Sequence, residues 1–85
     1  MLTELEKAQL MFKLARKNNW GNKYDRTEHF KRFQHLDDIL GNLSKRGWII
    51  VHPKGRFTGI SLNTSFKKEI IEFIITQMPN VKDMV

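Results

Sequence analysis

Leu43-Ser44-Lys45-Arg46-Gly47-Trp48-Ile49-Ile50-Val51-His52-Pro53-Lys54-Gly55-Arg56-Phe57-Thr58-Gly59-Ile60-Ser61-Leu62 decides the fold. It reads as the end of a helix, a glycine stop, a strand, a tight turn and a return strand. Gly47 suits the left-handed position just past a helix, with Lys45 and Arg46 in the last turn against the negative end of the dipole. Trp48 to His52 is aromatic and β-branched, the composition of a strand. Pro53-Lys54-Gly55-Arg56 predicts a turn, with Pro presetting one dihedral and Gly supplying a positive one. Phe57, Ile60 and Leu62 form the return strand, and Gly59 within it predicts a bulge or a close approach.

Charge is segregated around this stretch. No carboxylate side chain lies between Asp38 and Glu69, while Lys45, Arg46, Lys54, Arg56, Lys67 and Lys68 all do. The chain has net charge +6 over 85 residues and a pI near 9.9. That balance suits a polyanionic partner, although a positive excess also serves solubility. The length allows one domain, 1–85, with a small core. The absence of cysteine excludes disulfides, thiolate nucleophiles and cysteine zinc sites. Met1 to Glu6 has neither a basic n-region nor an apolar h-region, so no secretory signal is expected there. The most apolar segment, Ile70 to Met78, is far short of the roughly 20 residues a bilayer requires.

Upstream, Thr3 and Glu6 form a capping box for a helix over about residues 4–18, with Leu5, Ala8, Met11, Phe12 and Ala15 on its apolar face. Residues 19–26 are turn-rich, and Trp20 and Tyr24 are expected to dock on the core. Thr27 is the next N-cap. Phe30, Phe33, Leu36, Ile39, Leu40 and Leu43 then step by three or four, as one long helix or as two joined near Phe33 to His35. Gly41 inside that stripe is a candidate for close helix packing. Asn63, Thr64 or Ser65 caps a last helix over 65–78, where seven large apolar residues exceed the need of one buried face. Pro79 stops it and predicts a frayed tail.

The order helix, loop, one or two helices, strand, basic turn, strand, helix, with Leu40-x-x-Leu43-x-x-x-Gly47-x-Ile49 leading into a hairpin, resembles the winged helix-turn-helix superfamily. MarR-like and PadR-like regulators are similar in layout. The expected fold is therefore α+β and mostly α: a three-helix core, a β-hairpin wing over 48–62 and a C-terminal apolar helix.

The resemblance implies a recognition helix within 28–46, double-stranded DNA as partner, and a cytoplasmic regulator of a prokaryote, an archaeon or a virus in its host. Lys31, Arg32, Gln34 and His35 would serve the groove, Lys45 and Arg46 the helix end, and Lys54 and Arg56 the wing. Asp37 and Asp38 run against this, because carboxylates facing phosphates oppose binding. One could pair with Arg26 or Lys45, or the helix could meet a protein. A homodimer through residues 66–78 would space two recognition helices one DNA turn apart. The alternative is an interaction module of the same fold in a replication, transcription or viral complex. Lys7, Lys13, Arg16, Lys17, Lys67 and Lys68 are not read as one patch; Lys13 and Lys17, one turn apart, could stripe the first helix, and helical lysines of this kind are read as a solvated face. His29 and His35 do not share a helical face, so no metal site is expected; no cofactor, catalytic group or membrane contact is expected either.

Overall fold

The structure, a computed structural model, describes residues 4–84. Thr3 and its capping box lie outside the described residues. The chain is an α+β fold, mostly helical, with a three-stranded antiparallel sheet. Helix α1 spans Glu4–Arg16, α2 Leu36–Lys45 and α3 Lys67–Gln77; strands β1, β2 and β3 span Asp25–Arg26, Ile49–Lys54 and Phe57–Leu62. Short 3-10 turns occupy Thr27–Phe30, Thr64–Phe66 and Pro79–Met84.

Two helices end by the same device. After α1, Asn18 takes a φ of 59°, its N–H donates to Ala15 O (3.0 Å), and Asn19 N–H donates to Leu14 O (3.0 Å). After α2, Gly47 takes a φ of 77°, its N–H donates to Ser44 O (3.0 Å), and Trp48 N–H donates to Leu43 O (3.0 Å). Each pair of bonds satisfies carbonyls the helix leaves open and turns the chain sharply. The second reversal launches β2 directly from α2.

β3 is the central strand, with β1 on one side and β2 on the other. Lys54 pairs with Phe57, so the hairpin turns on Gly55-Arg56 alone, and Pro53 belongs to β2 opposite Thr58. Neither Gly55 nor Arg56 has a positive φ, unlike the turn expected from sequence. Pro53 is tolerated because β2 is an edge strand. β1 pairs Asp25 with Ile60 and Arg26 with Gly59. The loop before it is stitched to β3 by Leu62 N–H donating to Asn19 O (2.8 Å) and Gly21 N–H donating to Leu62 O (2.9 Å).

The core lies between the three helices and the inner face of the sheet: Leu10, Met11, Leu14, Phe30, Ile39, Leu43, Ile60, Leu62, Ile70 and Ile74 are fully buried. On α1 the buried apolar residues are Ala8, Leu10, Met11 and Leu14; of the expected face, Ala8 and Met11 are buried, Phe12 and Ala15 half-buried and Leu5 exposed. The stripe from Phe30 to Leu43 is two pieces, not one helix. Phe33 N–H donates to Phe30 O and Leu36 N–H to Phe33 O, a three-residue rhythm that ends before α2 begins. Gly41 faces open space and packs no helix. Of the three candidate caps, Asn63 caps the 3-10 turn Thr64–Phe66 and not α3: its Oδ1 accepts from Ser65 N–H (3.0 Å) and its Nδ2 donates to Gly47 O (2.7 Å), while α3 itself starts after Phe66 with no side-chain cap. The segment after Pro79 is no frayed tail, since Val81 is buried beneath the end of α3.

Candidate nucleic-acid interface

The eight cationic and polar residues singled out from sequence separate into three places. Lys31, Arg32, Gln34 and His35 lie in the turn before α2 and not on the helix. Lys31, Arg32 and Gln34 are exposed and His35 is half-buried. Lys54 and Arg56 are exposed at the end of the hairpin. Lys45 is exposed at the last residue of α2, and Arg46 folds back over Trp48 (5.1 Å to the ring centroid) and Phe73 (5.9 Å).

The first turn of α2 carries Asp37 and Asp38, both exposed. Neither forms an ion pair with Arg26 or Lys45 among the described residues; Arg26 instead approaches Glu28 at 3.8 Å. Both carboxylates suit the positive end of the α2 dipole, which explains their place without a ligand.

A second cationic group was legible in the sequence only as the stripe of Lys13 and Lys17 on the first helix. The turn at 31–35 lies against α1, and together they form an open groove of ≈ 640 Å³. Phe12 and Phe33 line its apolar part, with Lys13, Arg16, Lys17 and Arg32 around it. So Lys13, Arg16 and Lys17 do share a surface, whereas Lys7 is buried against Glu4 (2.9 Å) and Lys67 sits over Trp20 (5.6 Å). Lys13 donates to His29 O (2.9 Å) over the Phe30 ring (4.8 Å). Desolvation, and then the charges of Arg32 and Lys17, hold its ammonium below the usual lysine range. Lys17 donates to Asp25 (2.7 Å), which also accepts from His29 Nδ1 and from Arg26 N–H. Burial pushes the Asp25 carboxyl up, but these hydrogen bonds outweigh it and leave it below the ordinary range.

The third feature is the outer face of the sheet, away from the helices. Pleating puts Tyr24, Arg26, His52, Lys54, Phe57, Gly59 and Ser61 on that side. Tyr24 stacks on His52 (4.9 Å between centroids, planes 27° apart) and tilts toward Phe57 (6.1 Å). Lys54 lies 5.1 Å from the Tyr24 ring centre and Arg26 4.2 Å from that of Phe57. The close approach expected at Gly59 is here: a Cβ at that position would stand 3.0 Å from Cγ and Cε1 of Tyr24 and closer still to Cδ1. Ser61 Oγ donates to Gly21 O (2.8 Å), so it accepts from His52 Nε2–H (2.9 Å). That chain fixes the imidazole with its proton on Nε2 and leaves Nδ1 open. Tyr24 therefore docks on the sheet and not in the core, unlike Trp20.

Among the described residues no three His, Asp or Glu side chains converge as metal ligands would, and no helix is long and apolar enough to cross a membrane. No family model, no curated protein and no solved structure matches this chain.

Proposed function

We propose that this chain is a winged-helix nucleic-acid-binding domain that grips double-stranded DNA through its hairpin and the turn before α2. The observation that carries this reading is the β2–β3 hairpin itself. It leaves α2 through the Gly47 reversal, belongs to a sheet of order β1-β3-β2, and presents Lys54 and Arg56 at its end. No carboxylate side chain occurs from Ile39 to Lys68 to oppose phosphate contact. Lys31 and Arg32 form the second phosphate contact, and Lys45, exposed at the last residue of α2, is a further candidate. Gln34 is the side chain in the turn able to read an adenine edge.

The acidic start of α2 makes grip, and not deep reading of bases by the helix, the main source of affinity. Each phosphate neutralised contributes about one unit to the slope of log affinity against log salt. Titration of a random duplex by fluorescence anisotropy at several salt concentrations tests this. The combined Lys54→Ala and Arg56→Ala variant is expected to bind more weakly and to lower the slope by about two. Undetectable binding at low salt would defeat the proposal.

Homodimerisation through α3 belongs to the same reading. Ile71 and Ile75, one turn apart, are only half-buried and stand outside the buried cluster. Two copies sharing that seam would offer two hairpins to one duplex. Sedimentation of the wild type and of Ile71→Glu tests it, with a dimer expected only for the wild type. A second reading, an interaction module, is favoured by Asp37 and Asp38, exposed and without an ion pair among the described residues, which would meet a basic protein surface.

A further inference from the structure

We propose that the outer face of the sheet is a stacking platform for unpaired nucleobases, so that the domain also binds single-stranded nucleic acid. The proposal rests on the reading of the hairpin as a polyanion grip and adds a ligand form that duplex contact does not use.

The geometry points there in three ways. First, the rings are assembled and held. Tyr24 packs against Gly59 and stacks on His52, and His52 is fixed by Ser61, whose hydroxyl is itself committed to Gly21 O. A ring ordered before binding loses little freedom when a base stacks on it. Second, no helix covers the rings: the helices pack on the inner side of the sheet, and on the outer side Tyr24 remains 36% exposed and His52 and Phe57 half-buried, above the buried Gly59 and Ser61. Aromatic side chains that only filled a sheet surface would gain more from being covered.

Third, the charges fit. Lys54 and Arg26 stand over the rings, and Arg56 is adjacent at the turn. The nearest carboxylates are already engaged: Asp25 holds Lys17 and His29, and Glu28 faces Arg26. The guanidinium plane of Arg26, laid on Phe57, is a second surface on which a base can stack. Lys54, which stands over the Tyr24 ring and is exposed, would turn to a phosphate of the same strand.

Paired bases inside a duplex present only their edges, so rings lying on a sheet cannot stack on them. Unpaired bases present their faces, and every base has one, so the platform favours pyrimidine and purine strands alike. His52 Nδ1, left open by the Ser61 hydrogen bond, is the polar atom available to a stacked base.

The test uses the whole chain and two labelled probes of equal length, an oligothymidine and a random duplex, each titrated at three salt concentrations. Wild type is expected to bind both. Tyr24→Leu is expected to weaken the single strand about fivefold or more and to leave the duplex within twofold. Phe57→Leu serves as the second ring variant, and thermal unfolding checks that each variant is folded. The Lys54→Ala, Arg56→Ala protein should lower the salt slope for both probes. Wild-type binding of duplex alone, or single-strand affinity indifferent to both ring variants, would overturn the platform and leave the hairpin reading standing. Loss of neither affinity nor salt slope in the hairpin variant would overturn the hairpin reading and the platform resting on it.

Discussion

Gly59→Ala should destabilise this protein in one background and stabilise it in another. In the wild type the new Cβ would meet the Tyr24 ring, at 3.0 Å from Cγ and Cε1 and nearer to Cδ1. Tyr24 is partly exposed, so the ring swings away and no core strain builds. The swing gives up its stacking on His52, about 0.5–1.5 kcal/mol, and its contact with Lys54, about 0.5–1 kcal/mol. Against this, alanine favours a strand over glycine by about 0.5–1 kcal/mol. The net loss is centred on about 1 kcal/mol, or a fall in Tm of several degrees for a domain of this size. With Tyr24→Ala already present there is no ring to displace, and the same Gly59→Ala change should raise stability by about 0.5–1 kcal/mol. Urea and thermal unfolding of the four proteins give the coupling directly. A penalty of equal size in both backgrounds would refute the reasoning, because the obstruction would then be the backbone of the sheet and not the ring.

Other substitutions probe the frame. Gly47→Ala forces an L side chain to a φ of 77° with Phe66 Cε2 at 3.2 Å, so a loss of about 1–2 kcal/mol is expected in chemical denaturation. Val81→Ala should cost about 1–2 kcal/mol in the same assay, whereas Lys82→Ala beside it should stay within about 0.5 kcal/mol. For Asp25 the folded carboxyl lies below its ordinary value of 3.8, so its contribution is present above that value and is lost as pH falls through the folded one. Asp25→Asn should therefore be less stable than wild type at pH 7, by about 1 kcal/mol after allowance for the exposure of Lys17 and His29. The gap should close on acidification, which a pH series of melting curves reads.

The hairpin and the helix end before it were readable because their signals are local. Gly47 must lie where a left-handed residue is needed, and β-branched residues flank a Pro-Lys-Gly-Arg run. The start of α2 was not readable: a step of three or four fits both a continuous helix and a 3-10 turn followed by a helix, and His35 carries no side-chain cap to mark the boundary. β1 is two residues long and exists only through its pairing with Gly59 and Ile60. For the outer face, Gly59 signalled a close approach, but nothing near it in the chain names Tyr24 as what approaches. The groove beside α1 has the same character, since Arg32 joins Lys13, Arg16 and Lys17 only after the turn has folded against the helix.

Placing β3 in the middle of the sheet leaves β2 with a free edge, and such an edge invites a strand from another molecule. β2 ends in Pro53 and Lys54, a residue with no N–H to offer followed by a charge that repels its own copy. Pro53 and Lys54 therefore weigh against edge-to-edge pairing at the hairpin end of β2. Replacing Pro53 would put solubility at risk well before it harmed the fold.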